Sequence, residues 1–173
     1  MSQTILVRYG AIPEVARFAH DFAEAPARHE RVVVSSHRGL ELGTTLEGLR
    51  AGARGEGQPG DQAPEFRALR RATPEDEALH AALRHEANQA FPQWQRRIEE
   101  WKLELELLDI EWTLDRQKLV LYVLGGRGAE TTKLALQAAA AGLAAVEVQP
   151  VNADGPVPVG AAGGCGSGGC GCH

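Results

Sequence analysis

The chain has 173 residues, with 18 Lys and Arg against 23 Asp and Glu, for a net charge of -5. That length suits one domain, or one domain with a small attached subdomain, and it can bury a real core. The acidic balance argues against a sequence-independent grip on phosphate backbones, and no apolar run approaches the roughly 20 residues that cross a bilayer. The opening stretch from Met1 to Gly10 lacks the charged-then-apolar plan of a secretory leader, so a cytoplasmic location is expected.

Short β-type runs dominate the first fifty residues: Ile5–Tyr9, Arg31–Ser36 and Leu40–Leu46. The last two form an expected hairpin, with Gly39 supplying the positive backbone angle of a tight connection. Residues 13–25 fit a helical face through Val15, Phe18 and Phe22 as well as a strand over Glu14–His20, and the strand is preferred. From Arg50 to Pro64 the text is Gly, Pro, Gln and charge without periodicity, which reads as a solvated connection.

Thr73-Pro74-Glu75-Asp76 opens a helix. A hydroxyl stands at the cap, proline where its missing donor does no harm, and acids near the positive end of the dipole. Leu79, Leu83, Ala87, Phe91, Trp94, Ile98 and Trp101 then step by threes and fours along one stripe, with a kink expected before Pro92. The period changes to two at Leu103, Leu105 and Leu107. It slips by one to Leu108, Ile110, Trp112 and Leu114, as a bulged strand would. Asp115–Lys118 turns, and Leu119–Leu124 returns as a strand apolar enough to be central and covered on both faces. A helix over Ala129–Leu143 and a strand over Ala145–Val151 complete an α+β order. The division read from this is a β-rich subdomain (1–49), a Gly/Pro-rich loop (50–65), an α/β core (66–152) and a Gly/Cys-rich tail (153–173).

All three cysteines lie in that tail, which ends Cys165-Gly-Ser-Gly-Gly-Cys170-Gly-Cys172-His173. Glycine offers no apolar surface and costs the most backbone entropy to order, so either a ligand orders this tail or it stays disordered and oxidisable. In a reducing compartment clustered thiols point to metal or redox chemistry, and soft sulfur selects zinc, copper(I) or iron–sulfur clusters. Cys165, Cys170 and Cys172 are the candidate metal ligands. His173, or its terminal carboxylate, is the candidate fourth, although the spacing does not match common zinc-finger pairs.

Other constellations read more plainly. His80 and His85 are five apart on the long helix, turned away from each other and expected in solvent. Glu99, Glu100, Glu104 and Glu106 read as the wet side of their elements, with no His or Lys placed to make acid–base work of them. Arg67, Arg70 and Arg71 are expected to pair with the abundant acids; Arg96 and Arg97 are the other basic cluster. Gly125-Gly-Arg-Gly128 lacks the Gly-Lys-Thr ending of a phosphate loop.

Several motifs, collinear over residues 5–125, carry a resemblance: Val7-Arg8-Tyr9-Gly10, Arg31-Val-Val-Val34, Arg38-Gly-Leu-Glu-Leu-Gly43, Leu69-Arg-Arg-Ala-Thr-Pro-Glu-Asp76, and Leu107-Leu-Asp-Ile-Glu-Trp-Thr-Leu-Asp115 with Lys118. Together they resemble the polymerase-suppressor C-terminal domain family. The resemblance implies a non-enzymatic regulator with no catalytic residues. A bacterial member acts with two small helical proteins, YlbF and YmcA, in a complex that binds iron–sulfur clusters and directs the endonuclease RNase Y in RNA processing. The family's tail motif, Gly-Gly-x-Gly-x-Cys-Gly-x-x-x-Cys-Cys, carries over directly to Cys165 and Cys170 and approximately to Cys172, since Gly171 intervenes. Trp94 stands where relatives commonly have cysteine, and residues 127–133 depart from the family's stretch after Gly126.

The expectation is therefore a regulatory adaptor sharing an iron–sulfur cluster, or alternatively zinc, with a partner protein. A metal or thiol carrier and an RNA-binding module are the rivals.

Overall fold

The computed structural model describes residues 3–49, 66–125 and 128–157. Five strands close into a barrel: β1 (Gln3–Tyr9), β2 (Glu14–His20), β3 (Arg31–Ser35), β4 (Leu40–Leu49) and β5 (Phe66–Arg71), in the order β1-β2-β5-β3-β4. Period-two alternation fills it. Ile5, Val7 and Tyr9 from β1, Val32 and Val34 from β3, Phe18 from β2 and Ala68 from β5 form the interior. The Phe18 ring meets Tyr9 edge-on at 5.4 Å and Phe66 at 5.5 Å. Val33 points outward yet is also buried, against Leu42 and Leu114, which explains three consecutive buried valines in one strand. Gly43 is required where β4 crosses β1, because a Cβ there would stand 2.3 Å from Val7 Cγ1.

The residues 14–20 resolve as strand, as expected. The division at residue 66 needs correction. β5 pairs in parallel with β2 (Phe18↔Phe66, Ala19↔Arg67) and antiparallel with β3, so the strand after residues 50–65 completes the barrel and does not begin the second layer.

That second layer is a four-stranded sheet, β6 (Glu106–Trp112), β7 (Lys118–Leu124), β8 (Ala145–Asn152) and β9 (Gly155–Pro156), in chain order. Two helices, α1 (Pro74–Glu100) and α2 (Ala129–Ala140), pack on one face. The helix α1 runs unbroken through Pro92 and buries Leu83, Ala87, Trp94 and Ile98, whereas Leu79, at the start of the expected stripe, is exposed. Its start is a capping box. The Thr73 hydroxyl accepts from Asp76 N–H at 3.3 Å, while the Asp76 carboxylate accepts from Thr73 N–H at 2.9 Å and pairs with Arg70. Hydrogen bonds from Arg70 and from Thr73 hold the Asp76 carboxyl well below the usual carboxylate range. Thr73→Ala is expected to cost about 1 kcal/mol, read by denaturant titration.

Strand β6 begins at Glu106, later than the alternation at Leu103 suggests. Residues 101–103 close the helix instead, with Lys102 in the left-handed region (φ 52°) and Leu103 N–H reaching back to Ile98 O at 3.1 Å. The expected bulge is present as a register shift between Leu107 and Asp109. Gly142 (φ 66°) similarly ends α2 before Leu143. Residues 153–157, read from sequence as the start of the tail, turn and return as β9, with Val157 N–H bonded to Pro150 O.

Strand β7 lies between β6 and β8 and is covered on both faces, as its composition implies. Leu119, Leu121 and Val123 face the helices, while Val120 and Tyr122 face the β1–β2 turn at Ala11 and Ile12. The barrel therefore sits against the sheet face that the helices leave open.

Candidate functional site

The contact between barrel and sheet is polar at its centre. The β3–β4 turn is a tight hairpin, with Ser36 N–H bonded to Gly39 O at 2.9 Å and Gly39 at φ 137°. It drives Arg38 inward, where the side chain has no exposed surface. Its Nη1 donates to Glu14 Oε1 at 3.0 Å and to the Tyr122 hydroxyl at 2.9 Å, and its Nη2 lies 3.0 Å from Glu41 Oε1. The guanidinium also stacks over the Tyr9 ring at 5.0 Å. Gly10 makes this approach possible, since a Cβ there would stand 2.8 Å from Arg38 Nη2, and its φ of 84° suits glycine.

The network continues into the sheet. The Tyr122 hydroxyl donates to Glu111 Oε2 at 2.9 Å, and the same oxygen accepts the Ala11 N–H at 2.7 Å. Barrel strand, buried arginine, sheet tyrosine, sheet carboxylate and barrel turn thus form one connected circuit. A backbone bond from Leu114 N–H to Leu40 O, 2.7 Å, fastens its margin.

Two carboxylates, Glu14 and Glu41, contact the guanidinium and a third, Glu111, is joined to it through Tyr122. Glu41 is 5% exposed, and burial pushes its carboxyl up to about 7 against the opposing pull of Arg38 and the Ser36 hydroxyl. Burial works against the Arg38 charge, but Glu41, Glu14 and Glu111 outweigh it and the guanidinium stays ionised. Burial, and then Glu14 for Tyr9 and Glu111 for Tyr122, hold both phenols protonated. This arrangement can fix two layers in register and hold a proton. The positive charge its carboxylates surround is the protein's own arginine.

The candidate ligands Cys165, Cys170, Cys172 and His173 lie outside the described residues. Among the described residues no group of three or more His, Cys, Asp or Glu is arranged to hold a metal ion. The arginines pair as expected: Arg67 with Asp21, Arg70 with Asp76 and Arg71 with Glu30. Arg97 lies over the Trp94 ring at 4.9 Å. Glu99, Glu100, Glu104 and Glu106 are exposed. His85 is exposed beside Gln89, but His80 is half-buried in a shallow cleft with Leu83, Arg84, Glu111 and Trp112. Burial pushes its imidazole below the ordinary value, contrary to the solvated position expected from sequence. Asp109 pairs with Arg84; of the two residues read first as turn residues, Asp115 accepts the Thr113 hydroxyl in the turn, while Lys118 opens β7 and pairs with Glu147.

Sequence reasoning passed over Arg38 as a site. Two of the motifs that carried the resemblance, Tyr9-Gly10 and Arg38 through Gly43, prove to be the barrel's share of the circuit. The usable signal was that both tyrosines of the chain, Tyr9 and Tyr122, lie in apolar strands where a hydroxyl needs a partner.

The fold and this seam define an α+β protein whose barrel is locked onto a helix-backed sheet by buried charge. Residues 67–125 match the model of the family described as the PSP1 C-terminal conserved region, a span running from β5 through α1, β6 and β7. Over that span the chain is similar to the polymerase-suppressor family that its motifs resemble. No curated protein and no solved structure matches the chain.

Proposed function

We propose that the protein is a cytoplasmic, non-enzymatic regulatory adaptor of the YaaT type. It assembles with small helical proteins like YlbF and YmcA around a thiolate-bound metal centre and influences RNA processing by RNase Y. The observation that carries this reading is the PSP1 match, which points to a regulatory role. Among the described residues no helix is long and apolar enough to cross a membrane. The donor set of the tail, three thiols and an imidazole, suits a soft metal. A cubane cluster takes four protein ligands, typically thiolates, so a partner's cysteine would complete it where His173 does not. The pairing of Arg67, Arg70 and Arg71 with acids lowers the charge they would offer to RNA, which disfavours the RNA-binding reading.

The test is anaerobic purification of the full chain, alone and mixed with YlbF-like and YmcA-like proteins, followed by elemental analysis. Changing Cys165, Cys170 and Cys172 together to Ser is expected to remove bound iron or zinc and to dissolve the complex. Loss of metal with partners retained would assign a carrier instead. Metal-free protein under all these conditions would end the metal-centred reading.

A further inference from the structure

Five connected groups from both layers surround one buried cation: Glu14 and Glu41 from the barrel, Tyr122 and Glu111 from the sheet, and Ser36 in the turn. Arg38 has two occupied directions and a third that is incomplete. Its Nη1 serves Glu14 and Tyr122, whereas its Nη2, though 3.0 Å from Glu41, makes no hydrogen bond of good geometry, and neither does its Nε. Glu41 therefore lies beside the guanidinium without a full claim on it.

We propose that Glu41 is the proton-responsive member of a latch fastening the barrel to the four-stranded sheet. With Glu41 protonated, Arg38 is left to Glu14 and Tyr122 and the seam is tight. With Glu41 ionised, the buried Glu41 and the half-buried Glu14 compete for the same guanidinium, Arg38 is drawn from Tyr122, and the circuit through Glu111 to the Ala11 amide slackens. A further negative charge in a desolvated seam is costly unless the seam admits water, and the route for water is opening of the two layers. This latch is independent of the metal-centred adaptor reading.

The charged and titratable groups facing Glu41 and Arg38 come from every neighbouring element. They are Tyr9 on β1, Glu14 on β2, His37 in the turn, Glu111 on β6, Tyr122 on β7 and, facing His37, Glu147 on β8. Burial holds the His37 imidazole below its ordinary value, so it stays neutral above that value and adds no charge there. Glu147 is committed to Lys118 at 2.9 Å. Glu41 is thus the member whose charge changes near neutrality.

The sign follows from its two environments. Exposed to water, the Glu41 carboxyl ionises near 4.5; in the closed seam it ionises near 7. Closing binds a proton between these values, so the latch is tightest at or below about 4.5, loosens as pH rises to 7, and changes little above that. Each pH unit inside the window multiplies the opening constant by up to about tenfold.

Amide hydrogen exchange of the full chain, corrected for its intrinsic pH dependence, tests this. The seam reporters are the Ala11 N–H, held by Glu111, and the Leu114 N–H, held by Leu40 O. Their protection is expected to fall by up to about tenfold per unit between pH 5 and 7. Glu41→Gln is expected to flatten that dependence, and Glu14→Gln to leave it. An equal slope in wild type and Glu41→Gln, or no slope in wild type, would overturn the proposal. Carboxyl carbon NMR of Glu41 in the unaltered protein decides the matter even where the variant does not fold. A midpoint above about 6 is expected, and a lower one overturns the latch.

Discussion

Replacing Arg38 with Met is expected to lower stability by about 3–5 kcal/mol, the largest single loss that a charge deletion in this protein should produce. In a chain of this size that corresponds to a fall in Tm of about 6–20 °C, measured by calorimetry at pH 8, above the range in which Glu41 takes up its proton. Methionine restores much of the volume, so the loss reports charge more than cavity. Glu14, Glu41 and Glu111 would be left around a site with no cation, and the Tyr122 hydroxyl would lose its donor. Because the residues form one network, their energies should not add. Glu41→Gln introduced beside Arg38→Met is expected to recover part of the loss, since it removes one of the stranded charges. A loss below about 1 kcal/mol for Arg38→Met would mean that the carboxylates regain water without opening the fold.

Trp94→Ala is the second large effect, expected at about 3–5 kcal/mol by denaturant titration. Trp94 is 3% exposed and stands near the middle of the cluster that joins α1 to β6, β7 and α2. The helix depends on that contact more than its length suggests. Pro92 lies two residues earlier and lacks the N–H for an intrahelical bond, so packing at Trp94 and Ile98 holds the last turns in place. Truncation would leave the Arg97 guanidinium without the ring it covers and would open a void too large for the neighbouring Ile98 and Leu103 to fill. The expected companion result is early hydrogen exchange over residues 92–100, with the barrel amides unaffected.

Much of this architecture was legible because its signals are local. The Thr73-Pro74 opening marks the start of α1 to within a residue, and the slip in alternation near Leu107 and Leu108 marks a real register shift. The uniformly apolar Leu119–Leu124 run is what a strand covered on two faces requires. The features that escaped are non-local. The Phe18↔Phe66 pairing joins strands separated by more than forty residues, and no pattern within either strand specifies it. A lone arginine in a glycine-containing turn reads as solvated, and only the approach of Tyr122 and Glu111 from another sheet makes Arg38 buried. The thiol tail is the opposite case. Its chemistry is written in composition alone, and Cys165, Cys170, Cys172 and His173 fall outside the described residues.

The position of β5 carries one more consequence. The stretch shared with relatives opens inside the barrel's fifth stave, so the edge of the homologous region and the edge of the folding unit do not coincide. A fragment cut at residue 66 would strip that stave of both neighbours and leave β2 and β3 with raw margins, inviting the chain to stick to itself. Excision at the family boundary would thus yield neither half intact, since the matched span and the barrel share β5.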